Sequence, residues 1–211
     1  MENPEKPHQQ DGIWKNTTMN NNQLAKKSLK AAFIVIVVLQ LTFLGAMIGQ
    51  RTRLLKTGEK VLLKTQPIDP RSLFSGDYVL LRYEISTLNK ELVDIDNEKK
   101  LKLRKNDVLY VALDKEESGE YWNARAVSDN LDSLKKTYPV VIRGKLDQRY
   151  YNTSRDTFRI RYGVENYFVP QFKGLEIERN LGDVSVEVAV SASGESGIRR
   201  LFIDGEEVRF Y

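Results

Sequence analysis

The chain has 211 residues, enough for one medium domain or two small ones, with 33 Lys and Arg against 29 Asp and Glu. Residues 1–30 carry +2 of the net charge of +4, so the remainder is close to neutral and we predict no nucleic-acid partner. The absence of cysteine and the single histidine, His8, argue against thiol or imidazole catalysis and against zinc sites.

Residues 1–30 are polar, and we expect them to form a disordered tail. The 19 residues that follow, AAFIVIVVLQLTFLGAMIG, contain no charge and would form about 28 Å of helix, close to the hydrocarbon thickness of a bilayer. A signal peptide would have a shorter apolar core and a small-residue cleavage site, and a core helix would not be bracketed by basic residues. We therefore predict an uncleaved transmembrane helix over residues 31–50.

The flanking charges favour one orientation of this helix. The short tail contains five lysines and is easily kept in the cytoplasm, whereas a large domain crosses largely regardless of its charge. We predict the amino terminus inside and the carboxy-terminal domain outside. Gly45 and Gly49 form a G-x-x-x-G spacing through which the helix could contact itself or another membrane protein.

Beyond a linker at 51–58, the pattern of residues 59–211 is mostly period two. Runs such as Val108–Leu113 and Val184–Val190 alternate apolar and polar residues between turn formers, which is typical of strands. Asp204 and Gly205 indicate a tight turn between the last two strands. The charge-dense stretch 85–105 is predicted to be a solvated loop or a frayed turn. The fold class is therefore mainly β, a β-rich α+β domain behind one transmembrane helix.

The segment SGDYVLLRY, residues 75–83, begins with a turn and continues as a strand. Alternation places Val79, Leu81, Tyr83 and Ile85 on one face, which is predicted to be the core face. Glycine followed by Asp77 is a strand-launching turn, and similar dipeptides precede two other strands in this chain. A structural role for Asp77 is the favoured interpretation.

This segment closely resembles the motif of the bacterial GDYXXLXY family, and a second block, YGVENYFVP at 162–170, is also similar to a segment of that family. The residues that match are Pro67, Asp69, Pro70, Arg71, Phe74, Gly76, Asp77, Tyr78, Leu81, Tyr83, Gly163, Glu165, Tyr167, Phe168, Val169 and Pro170. Gln171 stands where the family usually has glutamate. The resemblance implies a membrane-anchored bacterial protein of the cytoplasmic membrane and no particular activity, because the family is essentially uncharacterised.

Two functions remain open at this stage. The first is a non-catalytic envelope module that binds other membrane or envelope proteins. The second is a ligand-binding or hydrolase domain in which Asp69, Asp77 and Glu165 converge with nearby aromatic and arginine side chains. No catalytic, cofactor-binding or metal-binding set can be assigned from the motifs, and we predict no cofactor.

Overall fold

The computed structural model describes residues 12–66, 78–95, 103–116, 119–147, 156–168 and 184–209, with side chains described from residue 26 onward except those of Tyr78 and Val79. The chain divides into two compact units, Met1–Gln50 and Arg51–Tyr211.

The amino-terminal unit contains the start of helix α1, which spans Gly12–Thr57. Within it, Lys26–Thr57 has an 18-residue window of mean hydropathy 2.5, and none of that window is buried. Its large apolar side chains are exposed, among them Phe33 at 67% and Phe43 at 66%. A core helix of a soluble protein would bury such side chains. The helix is therefore long and apolar enough to cross a membrane.

Helix α1 extends further in both directions than the sequence indicated. It begins at Gly12, within the stretch expected to be disordered, and it ends at Thr57, within the expected linker. Extending a helix costs much less than nucleating one, and no proline interrupts residues 12–57. The helix ends where the Gly58 N–H donates to the Leu54 carbonyl at 2.9 Å. A Cβ at Gly58 would lie 2.7 Å from that carbonyl oxygen, so only glycine fits there.

In its described residues the second unit has eleven strands, a short helix α2 at Leu131–Lys135 and two 3-10 turns at Glu84–Ser86 and Lys90–Leu92. The strands are β1 (Glu59–Lys64), β2 (Tyr78–Leu80), β3 (Thr87–Asn89), β4 (Val108–Lys115), β5 (Trp122–Ser128), β6 (Val140–Leu146), β7 (Thr157–Arg161), β8 (Asn166–Phe168), β9 (Val184–Val190), β10 (Ser196–Ile203) and β11 (Glu206–Glu207).

These strands form three antiparallel sheets. Their orders are β1-β9-β10-β11, β3-β7-β6-β4-β5 and the two-stranded β2-β8. The mainly β fold class that the sequence predicted is confirmed. Strand β9 has the predicted bounds, and Asp204 and Gly205 form the predicted turn with φ of 52° and 83°.

A single large apolar core lies beneath these sheets. In β6, Ile142, Gly144 and Leu146 are buried, whereas Arg143 and Lys145 between them are exposed, as period two requires. The opposite face of the same sheet is partly covered by α2, whose Leu134 packs with Ala112 and Val141. The end of α1 also contributes to this unit, since Leu54 is buried and Arg51 donates to the Ser196 carbonyl at 2.9 Å.

The predicted solvated loop at 85–105 is wrong for its first half. Residues 84–92 form two 3-10 turns and β3, which pairs with β7. Leu88, Val93 and Ile95 are buried in the main core. The apolar residues of this stretch are too irregularly spaced to give a strand period, yet these three side chains enter the core.

Candidate functional site

The two sequence blocks that resemble the GDYXXLXY family lie side by side in the fold. Strand β2 of the first block pairs with β8 of the second, and Tyr78 is opposite Phe168 while Leu80 is opposite Asn166. The Leu81 N–H then donates to the Glu165 carbonyl at 2.6 Å, which continues the pairing beyond the strands. Two stretches that are far apart in the sequence are therefore in contact in the fold.

Two buried tyrosines connect the blocks reciprocally. The Tyr83 hydroxyl of the first block donates to the Val164 carbonyl of the second at 2.6 Å. The Tyr162 hydroxyl of the second block donates to the Ile85 carbonyl of the first, also at 2.6 Å. Tyr83 is 0% exposed and Tyr162 is 6% exposed. We call these two tyrosines, the two carbonyls and Glu165 the paired-tyrosine site.

Both hydroxyls are held in the protonated form. Burial, and secondarily the negative charge of Glu165, raises the pKa of Tyr83 and of Tyr162 well above the ordinary value for tyrosine. Because only the neutral phenol can donate a hydrogen bond, this shift preserves both contacts across the pH range in which proteins work. A buried phenol with a raised pKa is unsuited to act as a nucleophile or as a general base.

The Glu165 carboxylate caps the turn between β7 and β8. One oxygen accepts the Tyr162 N–H at 2.5 Å and the other accepts the Gly163 N–H at 2.9 Å. Gly163 has a φ of +81°, a conformation that residues with a Cβ rarely adopt. Glu165 is half-buried, and each of its oxygens already accepts a backbone hydrogen bond within its own turn. The contacts explain why a carboxylate at this position suits the fold.

The remaining residues that match the family have varied positions. Leu81 is buried, as the alternation predicted, together with Tyr83 and Ile85. Tyr167 is half-buried and Phe168 is 76% exposed. Ten of the family-like positions or their side chains lie outside the described residues: Pro67, Asp69, Pro70, Arg71, Phe74, Gly76, Asp77, the side chain of Tyr78, Val169 and Pro170.

Of the three acids predicted to converge, Glu165 lies within the described residues. Asp69 and Asp77 lie outside the described residues, so their approach to Glu165 stays a prediction. Arg82 is half-buried, and its carbonyl accepts the Gln66 N–H at 2.7 Å. Its guanidinium makes no ion pair with Glu165, whose carboxylate contacts are to its own turn. In the described part of the chain, no three His, Cys, Asp or Glu side chains cluster as a metal site would require.

Several participants in the site had no sequence signal. Thr65 forms an antiparallel bridge with Tyr83, and the Ser196 hydroxyl donates to the Tyr162 carbonyl at 3.2 Å. The acceptors at Ile85 and Val164 are backbone carbonyls, which every residue carries. The only signal in the sequence is the tyrosines themselves. A tyrosine on an apolar strand face indicates a buried hydroxyl that needs a hydrogen-bond acceptor.

The fold and the site thus define a mainly β domain that follows a long apolar helix. Buried tyrosine hydrogen bonds join the two motif segments of this domain. A profile of the GDYXXLXY protein family matches residues 40–201, which include both motif segments. The chain belongs to the GDYXXLXY family. Comparisons with curated proteins and with solved structures gave no match.

Proposed function

We propose that this chain is a single-pass protein of the bacterial cytoplasmic membrane and that its β domain, outside the cytoplasm, binds other membrane or envelope proteins without catalysing a reaction. The apolar helix and the family membership support membrane anchoring. The short lysine-containing tail supports an amino terminus in the cytoplasm.

One observation carries the non-catalytic part of the proposal: the polar groups of the paired-tyrosine site are already used in backbone hydrogen bonds. Both tyrosine hydroxyls donate to buried carbonyls, and both Glu165 oxygens accept N–H groups. Catalytic side chains instead point reactive atoms toward a place that a substrate can reach. These motif residues hold two segments of the fold together.

Anchoring also offers a contact surface within the membrane. Gly45 and Gly49 are four residues apart, and a Cβ at either position would meet nothing within 4 Å. Small residues at this spacing let two helices approach closely in a bilayer. A second copy of the chain, or another membrane protein, is the proposed occupant of that face.

Crosslinking in intact cells tests the proposal. The full-length chain is compared with a variant whose residues 31–50 are replaced by an unrelated apolar helix and with the double substitution Gly45→Leu and Gly49→Leu. We expect one discrete protein partner to crosslink to the domain in all three chains. Loss of the partner in both altered chains would place the contact in the helix instead.

Crosslinking combined with a functional assay and a thermal melt of Asp77→Asn separates binding from catalysis. A chain that crosslinks to no discrete protein, and whose cellular function is abolished by Asp77→Asn without a change in its thermal melt, would contradict the proposal. That combination would favour the hydrolase or ligand-binding alternative around Asp77 and Glu165.

A further inference from the structure

Four basic side chains lie together on the outer face of the five-stranded sheet. Arg143 and Lys145 of β6 and Arg159 and Arg161 of β7 are all exposed, while the residues between them are buried. The register places Lys145 directly opposite Arg161. We call these four residues the basic face. The two pairs are separated by more than ten residues along the chain, so only the fold brings them together.

Among the described residues, only one of these four cations has an ion-pair partner. Arg161 forms an ion pair with Asp147 at 2.9 Å. Arg143, Lys145 and Arg159 make no ion pair or side-chain hydrogen bond within the part of the chain that the structure describes. On the four-stranded sheet the arginines behave differently, since Arg199 pairs with Glu187 at 2.8 Å.

Such an arrangement is unfavourable for folding alone. Like charges directly opposite each other on neighbouring strands destabilise a sheet. The domain as a whole is close to neutral, so the basic face is a local concentration of positive charge. An anionic partner bound to this face would offset the repulsion between the cations with favourable charge–charge attraction.

The shape of the basic face indicates which kind of anion fits. Side chains on one face of a strand repeat about every 7 Å, and neighbouring strands are about 5 Å apart. On that grid Lys145 is opposite Arg161, and Arg159 is opposite Asp147, whose N–H donates to the Arg159 carbonyl at 2.9 Å. In the described residues the four cations therefore form a flat array that spreads across two strands. A planar layer of negatively charged headgroups matches this array.

We propose that the basic face binds the anionic headgroups of a lipid bilayer. The inference rests on the proposed membrane anchoring, because a tethered domain meets the bilayer at a high effective concentration. Each cation near such a surface strengthens contact about fivefold, so the three unpaired ones together contribute about a hundredfold.

Lipid-specific quenching measures this contact on the full-length chain. The chain has no cysteine, so Thr87→Cys, opposite Arg159 on the same sheet face, accepts a single fluorophore. The labelled chain is inserted into nanodiscs of zwitterionic lipid or of zwitterionic lipid with anionic phosphatidylglycerol, each containing a small fraction of lipid with a headgroup spin label. The triple variant Arg143→Gln, Lys145→Gln, Arg159→Gln is compared with a control that removes the same charge elsewhere, Lys60→Gln, Lys115→Gln, Arg125→Gln.

We expect strong quenching only in the discs with anionic lipid, and its loss in 1 M salt, where the screening length is about 3 Å. The ratio of contacting to free domains should fall about a hundredfold in the triple variant and stay unchanged in the control. Equal quenching in both lipids, or equal loss in the two variants, would overturn the inference. The salt titration uses the chain with its basic face unaltered, so its result does not depend on whether the charge variants fold. If membrane anchoring itself were wrong, the chain would insert into neither disc, which is a different result.

Discussion

Removing one hydroxyl from the paired-tyrosine site should weaken the domain measurably. Tyr83→Phe deletes only the oxygen that donates to the Val164 carbonyl at 2.6 Å, and Tyr83 is fully buried. Water cannot easily replace the lost donor, because Val164 is only 2% exposed. Leaving a buried acceptor without its partner costs about 1–3 kcal/mol. We expect the free energy of unfolding to fall by that amount.

The assay uses Trp122, which packs against the main core, as a fluorescence reporter of the domain. The full-length chain in neutral detergent carries Trp14→Phe, which leaves one tryptophan. Denaturant unfolding is followed for this background and for Tyr83→Phe. Tyr110→Phe is the matched control, because Tyr110 is half-buried and its hydroxyl makes no hydrogen bond within the described residues. Its cost should stay within about 0.5 kcal/mol.

Alkaline pH gives a second measurement on the same chain. The folded-state pKa of Tyr83 and Tyr162 lies above the unfolded value of about 10, so the stabilisation is complete below pH 10 and is lost as the pH rises toward the folded value. The free energy should fall by up to about 1.4 kcal/mol per pH unit for each tyrosine. Tyr83→Phe should make this decline shallower. An equal cost for Tyr83→Phe and Tyr110→Phe, with identical alkaline slopes, would refute the reasoning.

Three further predictions follow from the fold. Gly163→Val should destabilise the domain by about 1–3 kcal/mol in the same unfolding assay, through backbone strain at φ +81° alone. Gly163→Asn should cost less because asparagine tolerates that region, and equal costs for the two variants would contradict this prediction. A fragment of residues 51–211 should give a circular dichroism spectrum dominated by β-structure, and a fragment that begins at residue 59 should melt lower because it lacks buried Leu54; a helical spectrum would show the strand assignment to be wrong. A carboxy-terminal alkaline phosphatase fusion should be active and a cytoplasm-only reporter inactive, and the reverse would reject the proposed orientation.

Period-two alternation predicted the burial of Leu81, Tyr83 and Ile85 even though the strand it assumed is shorter than expected. Strand β2 ends at Leu80, and Ile85 lies in a 3-10 turn. The turn still points Ile85 inward, because the Tyr162 hydroxyl holds the Ile85 carbonyl. The local alternation pattern thus identified the core residues. It could not predict the tertiary hydrogen bond between Tyr162 and Ile85 at this 3-10 turn.

The contacts that define the site depend on partners far apart in sequence. Tyr83 and Val164 are 81 positions apart, and the acceptor is a backbone carbonyl with no side-chain signal. The basic face likewise requires the register that pairs Lys145 with Arg161. The composition of the 85–105 segment is dominated by the charged run NEKKLKLRK of its second half, which hides the buried residues of the first half, such as Leu88 and Val93. Composition describes the average of such a stretch, while folding depends on the few side chains that enter the core.

The central claim is that Glu165 serves the fold and not a reaction, and Glu165→Gln tests it most directly. Glutamine keeps the size and one acceptor oxygen but loses the charge that strengthens the hydrogen bonds to Tyr162 and Gly163. We expect the free energy of unfolding to fall by about 1 kcal/mol and the cellular function of the full-length chain to be retained wherever the domain stays folded, including at reduced growth temperature. An unchanged free energy of unfolding together with a function abolished at every temperature would contradict the account.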